Sequence, residues 1–171
     1  MPQTLLSLAG LLIVTLLSFS QQQANLRSQQ EAVRAEMQQM AIGVAKQSME
    51  VVRARAFDDK SVSGNPSVSD LTQPGNFPTG KDCRAFGGSD PCDAIEDFHE
   101  MVPATDSVSI PGGSFAFEVD IEVHYVDTDM NRTNSRTGRK EVTIRVQDGP
   151  GLDTDPRLNE PITFTEVLGY V

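Results

Sequence analysis

The stretch Met1–Ala56, MPQTLLSLAGLLIVTLLSFSQQQANLRSQQEAVRAEMQQMAIGVAKQSMEVVRARA, decides the architecture. Its first 20 residues carry no charged side chain, and no proline follows Pro2. A proline inside a helix removes a hydrogen bond and clashes with the preceding turn, so its absence lets a helix run on. The stretch therefore predicts one stem helix over residues 1–56, apolar in residues 1–20 and charge-mixed beyond. Its front half needs lipid or other apolar helices, and its back half needs water on one side and a packed domain on the other.

Thr4 to Ser20 is 17 residues. As a helix it rises about 25 Å, slightly short of a ~30 Å hydrocarbon core. A secretory signal carries a basic n-region and a small-residue cleavage site. Here no Lys or Arg precedes the apolar run, and Ser18-Phe19-Ser20 is a poor cleavage site. A signal-anchor would also carry flanking cytoplasmic Lys or Arg. Two readings stay open: a basic leader preceded this sequence, or the bare amino terminus is the only positive charge. The large apolar side chains are Leu5, Leu6, Leu8, Leu11, Leu12, Ile13, Val14, Leu16, Leu17 and Phe19. Ser7, Ala9, Gly10 and Ser18 fall among them, and small residues let neighbouring helices approach closely. A monomeric lipid anchor is the plainer alternative.

From Gln21 the pattern turns amphipathic, with Val33, Met37, Met40, Val44 and Val51 recurring at intervals of three or four. Gly43 either weakens the helix by about 1 kcal/mol relative to alanine or permits close packing. Asp58-Asp59 and the Ser/Gly/Pro-rich sequence after them are read as its end. Residues 57–82 read as an extended surface loop. Asp93 to Met101 forms a short helix capped by Asp93, with Ile95 and Phe98 inward.

The strongest β signal is SFAFEVDIEVHYVD, where Phe115, Phe117, Val119, Ile121, Val123 and Tyr125 share one face. Glu118, Asp120, Glu122 and His124 take the other. KEVTIRVQD repeats the alternation with Val142, Ile144 and Val146, and the polar DTDMNRTNSRTGR between them makes an antiparallel hairpin. EPITFTEVLGYV adds a strand through Ile162, Phe164 and Leu168, and Ser107–Ile110 a fourth. The predicted class is α+β: a stem helix packed on the antiparallel sheet of a small head, residues 57–171. One sheet face meets the stem and the other meets solvent.

The net charge of −10 is uneven. Residues 21–56 carry five basic and three acidic side chains, so the acidic excess lies in residues 57–171. An acidic head argues against nucleic acid, whose phosphates call for Lys and Arg. Cys83 and Cys92 lie nine apart, and the Gly-Gly and Asp-Pro between them let the chain turn back. A disulfide is expected, which places the head in an oxidising, non-cytosolic compartment.

Enzymatic constellations are thin. His99 and His124 have no nucleophile arrangement around them, and no Gly-rich phosphate loop, HExxH or GxSxG occurs. No catalytic residue is expected, and no cofactor is required. Asp127, Asp129 and Asn131 match the opening D-x-D-x-N of a calcium loop, but Arg132 and Gly138 stand where an EF-hand needs Gly and an acid. Asp148 with Asp153, Asp155 and Asn159 is a comparable acidic loop. In both, Asp and Asn as turn formers is the competing reading. Asn131-Arg132-Thr133 is a formal glycosylation sequon.

With its long uncharged-then-amphipathic stem leading into a mainly β head, the chain resembles the type IV pilin superfamily, including the pseudopilins of type II secretion. QTLLSLAGLLIVTLLSFSQQQA is similar in length and texture to a mature pilin stem. The resemblance covers residues 1–56 in detail and the rest in architecture. It implies a structural subunit of an extracellular filament whose partners are copies of itself, the membrane before assembly and a pilus-type assembly machinery. It also implies a cell-surface location reached through the cytoplasmic membrane, and it favours calcium in a head loop. The alternative is a membrane-anchored extracytoplasmic binding protein or minor pseudopilin that does not polymerise alone. Leu5 departs from the pattern, since the family usually places Glu at that position to pair with a neighbour's amino terminus.

Overall fold

The computed structural model describes residues 2–110, 113–149, 158 and 160–170, with the backbone alone for residues 2–9 and 110. The first helix, α1, spans Pro2–Arg53. The chain divides into two compact units, Met1–Met37 and Gln38–Val171. Within the first unit, α1 is one unbroken helix, in line with the absence of proline after Pro2.

In the second unit, the last turns of α1 pack on an antiparallel sheet. Its strands are β1 (Ala104–Ile110), β2 (Gly113–Val126), β3 (Arg132–Thr133), β4 (Arg139–Asp148) and β5 (Ile162–Gly169). The order is β1-β2-β4-β5, and the short β3 pairs with the end of β2. The fold is thus α+β, as expected. In the central pair, Val119 lies opposite Val146, Ile121 opposite Ile144, Val123 opposite Val142, and Tyr125 opposite Lys140. All eight side chains are buried. Period-two alternation puts them on one face, and the intervening Glu118, Asp120, Glu122 and His124 on the other.

The helical seam facing this sheet differs from the expected one. Ala41, Val44, Ala45, Ser48, Met49 and Val52 are buried, whereas Met40 and Val51 are half-buried and Val33 is exposed. Small side chains at 41, 45 and 48 carry much of the seam. A search for large apolar residues passes over them. An added Cβ at Gly43 meets no atom within 4 Å, so close packing inside the chain is not the reason for that glycine.

The segment after α1 also corrects the sequence reading. The helix ends at Arg53, and Asp58 starts a new element: it caps α2 (Asp59–Val62), accepting from Lys60 N at 3.2 Å. Residues 57–82 lie largely at the surface, as expected, but they are more structured than a plain loop. They carry α2 and two 3-10 turns, Val68–Asp70 and Pro74–Asn76, and bury Phe57, Asp58, Leu71 and Phe77. A few apolar anchors and one buried carboxylate fold a segment whose composition reads as loop.

The predicted helix 93–101 is a 3-10 turn at Ile95–Phe98 with Ala94 at its N-cap. Ile95 and Phe98 do point inward. Asp97, rather than Asp93, supplies the capping oxygen, accepting from the Asp93 and Ala94 amides at 2.9 and 3.2 Å. Ala56 pairs with Ala94 in a parallel bridge, which brings the exit of α1 beside this turn. Cys83 and Cys92 form the disulfide, with Cα atoms 5.6 Å apart. Closing so short a loop stabilises the fold by about 2–3 kcal/mol in the chain-entropy view.

Candidate functional site

Two places in the molecule stand out physically. The first is the apolar run of α1. Leu11, Leu12, Ile13, Val14, Leu16, Leu17 and Phe19 are each between 54% and 68% exposed. Four of them are consecutive, and at 3.6 residues per turn consecutive residues circle the helix. The surface is therefore apolar all round rather than on one stripe, a pattern found where a helix is surrounded by apolar neighbours. Thr15 fits such surroundings, because its hydroxyl bonds back to Leu11 O at 3.0 Å and Leu12 O at 2.9 Å and presents no free donor. The side chains of Leu5, Leu6 and Leu8 lie outside the described residues. Among the described residues no helix is long and apolar enough to cross a membrane.

The second place was missed by sequence reasoning. Lys140 is fully buried, and its ammonium touches two carboxylates: Asp58 Oδ2 at 3.0 Å and Glu96 Oε2 at 2.7 Å. Its third partner is the Phe57 carbonyl at 2.6 Å. The rings of Phe57, Tyr125 and Phe77 lie with centroids 4.6, 5.2 and 5.3 Å from Nζ. Asp58 and Glu96 are themselves 0% and 1% exposed. The signal was present in KEVTIRVQD: extending the Val142–Ile144–Val146 alternation two residues back places Lys140 on the buried face.

Around Asp58 the hydrogen bonds divide by oxygen. Oδ1 accepts from Thr72 Oγ1 at 2.9 Å, Thr72 N at 3.1 Å and Lys60 N at 3.2 Å. Oδ2 faces Lys140, the Tyr125 hydroxyl at 3.1 Å and Thr72 N at 3.1 Å. Glu96 Oε1 accepts from Asp59 N at 2.6 Å. Burial works to raise both carboxyls, but the balance differs. For Asp58 the Lys140 ammonium and the Thr72 and Lys60 hydrogen bonds prevail, and its pKa falls below the ordinary value. For Glu96 burial prevails, and its pKa lies above the ordinary value. Burial, with the Asp58 charge and hydrogen bond, also raises the Tyr125 phenol.

The expected calcium residues Asp127, Asp129 and Asn131 occupy the turn before β3, and the sequon runs on from Asn131 into β3. Asp127 Oδ1 accepts from Asp129 N at 2.8 Å and Asn131 N at 2.9 Å, a turn-forming role that lowers its pKa. The Asn131 side chain is exposed. Among the described residues no group of three or more His, Cys, Asp or Glu is placed to hold a metal. Asp148 accepts from Leu158 N at 2.9 Å, while Asp153, Asp155 and Asn159 lie outside the described residues.

His99 gives the sheet unit a pH dependence. Its Nδ1 accepts the Val123 N–H at 3.2 Å, which only the neutral ring can do. Burial holds its pKa below the ordinary 6.5, with His124 lowering it further and Glu100 and Glu122 raising it. As pH falls through 6.5 the unfolded chain binds this proton before the folded one does. The contribution is therefore complete above that pH and lost progressively below it. Thermal unfolding at about pH 7.5 and about pH 5.5 is expected to show a lower midpoint at the acid end. His99→Gln, which keeps an acceptor without titrating, flattens the difference, and an equal drop in that variant would refute the assignment.

No protein-family model matches the chain, and no curated protein and no solved structure matches it. The long N-terminal helix packed on an antiparallel sheet with a disulfide is a pilin-like topology.

Proposed function

We propose that the chain is a structural subunit of an extracellular type IV pilus-like filament, polymerising through its apolar N-terminal helix. The observation that carries this reading is the ring of seven large apolar side chains between Leu11 and Phe19, all more than half exposed. Burying one such side chain fully is worth about 1.5–3 kcal/mol where water is the alternative. Packing against the equivalent helix of other copies satisfies every face at once, which a single partner surface does not. The small residues Ser7, Ala9, Gly10 and Ser18 permit close approach.

In this account the stem rests in the cytoplasmic membrane until a pilus-type assembly machinery withdraws it, and the finished filament lies at the cell surface. The head forms the outer surface, performs no catalysis, needs no cofactor and binds no nucleic acid. Calcium at the Asp127 turn would be an addition to a turn that its own hydrogen bonds already close. With Leu5 in place of an acid, register is set by apolar packing alone.

Electron microscopy of material sheared from cells, with antibodies to the head, tests the proposal. Labelled filaments are expected. Recovery of the chain only from the membrane fraction, with no labelled filament, would replace it with the anchored, non-polymerising alternative.

A further inference from the structure

The geometry points to a covalent amide between the Lys140 Nζ and the Asp58 Cγ, formed by the protein itself with Glu96 as proton shuttle. The proposal is independent of whether the chain polymerises. Three features distinguish this cluster from an ordinary buried ion pair.

The first is the separation of roles between the two oxygens of Asp58. The Thr72 hydroxyl at 2.9 Å and the Lys60 amide at 3.2 Å donate to Oδ1 alone, while the Thr72 amide is shared, 3.1 Å from each oxygen, and the Tyr125 hydroxyl donates to Oδ2 at 3.1 Å. Donors fixed on Oδ1 stabilise an oxygen gaining negative charge during attack on its carbon. Oδ2 is the oxygen beside the nucleophile, 3.0 Å from Nζ, and the one placed to leave.

The second is Glu96. Its Oε2 lies 2.7 Å from Nζ, and its Oε1 is fixed by the Asp59 amide at 2.6 Å. The carboxyl is thus oriented with one oxygen toward the amine. Burial favours its protonated form, so it can take a proton from the ammonium and return it.

The third is dryness. All three side chains are at most 1% exposed, and the Phe57, Phe77 and Tyr125 rings surround Nζ. In water, condensation of an amine with a carboxylate is opposed by hydration of both charges and by the solvent as reverse reactant. Burial of all three side chains weakens both obstacles. It also makes the charged pair costly to keep, so conversion to a neutral amide is favoured. Holding the reactants in contact replaces a bimolecular encounter with an intramolecular one.

The step balances without any co-reactant. Glu96 removes one proton from the ammonium and delivers it to Oδ2, which turns the Asp58 carboxylate into a carboxylic acid. The neutral amine then attacks Cγ, forming the C–N bond while charge gathers on Oδ1, and Glu96 takes a second proton from the attached nitrogen and passes it to Oδ2. The C–Oδ2 bond breaks and one water leaves. Of the three ammonium protons, one stays on the amide nitrogen and two depart in the water. Glu96 ends as it began.

The bond would join residues 82 positions apart in sequence, one five residues beyond the end of α1 and the other on a central strand. Force carried out of the helix would then reach β4 directly instead of through the intervening segment.

Intact-mass spectrometry of the purified full-length protein tests this. The wild type is expected to be one water lighter than its disulfide-bonded sequence. Digestion should release a branched peptide linking the segment around Asp58 to the segment around Lys140. Lys140→Met and Glu96→Gln should both return to the full sequence mass and give only linear peptides. Near-ultraviolet circular dichroism of the Glu96→Gln protein checks that it is folded. The wild-type digest stands whether or not either variant folds: linear peptides and the full disulfide-bonded mass in folded wild type would overturn the proposal. Branched peptide in folded Glu96→Gln at wild-type yield would overturn the role of Glu96.

Discussion

Lys140→Met lowers the thermal midpoint of the sheet-bearing unit by about 10–20 °C, corresponding to about 3–5 kcal/mol in a domain of this size. The substitution keeps most of the side chain's volume and removes the nitrogen, and with it the ion pairs or the amide to Asp58. Asp58 and Glu96 remain, both almost wholly shielded from water, with no cation between them. Leaving a buried charge uncompensated is among the few single changes with so large an effect. The contacts of Nζ with three aromatic rings disappear as well.

Adding Glu96→Gln should restore part of the loss, on the order of 1–2 kcal/mol, because it removes the like charge and keeps an acceptor for Asp59 N. Circular dichroism of the full-length proteins in mild detergent measures both midpoints. A Lys140→Met midpoint within about 2 °C of wild type would show that the cluster contributes little. The direction is the same with or without the covalent amide, so this experiment and the mass measurement report on different claims.

The second large effect concerns the stem. Leu11→Asp or Val14→Asp is expected to abolish filament assembly while leaving the head folded. Either change puts a carboxylate where the filament account requires an apolar surround. The cost of an acid in the middle of an apolar helix is about 2.5–3.5 kcal/mol on the most lenient scale. That is roughly a hundredfold or more on each association step. A polymer needs every subunit to make the same contact, so the penalty recurs at each addition. Both positions lie in the Met1–Met37 unit, and the circular dichroism of the sheet should not change. Leu11→Ile, which conserves volume and polarity, should assemble normally. Intact filaments from the Asp variants would remove the stem from the mechanism.

Much of the architecture was legible because it rests on strict periodicity. Phe117 to Tyr125 and Val142 to Val146 alternate without a fault, and each strand appears where the alternation places it. The unbroken helix was legible from the missing prolines, and the disulfide from two cysteines flanking turn residues. What escaped was set by tertiary contact. Ala41, Ala45 and Ser48 are small and give little hydrophobic signal, yet they are buried in the helix seam. Residues 57–82 read as loop by composition, but Leu71, Phe77 and Asp58 anchor them.

The Lys140 cluster was hidden for two reasons. A lysine at the start of a strand is ordinarily solvated. Its two acids also sit 82 and 44 residues away, where no local pattern connects them. The stem was legible as an apolar surface, and the structure adds that this surface is exposed on all sides of the helix between residues 11 and 19.

Helical reconstruction of the sheared surface filaments by electron cryomicroscopy shows directly what the stems pack against. The filament is expected to be built of this chain, with Leu11 to Phe19 of every subunit packed against equivalent stems in a continuous apolar core and the sheets outside. Filaments held together through their heads with the stems facing solvent, or filaments lacking this chain, would contradict it.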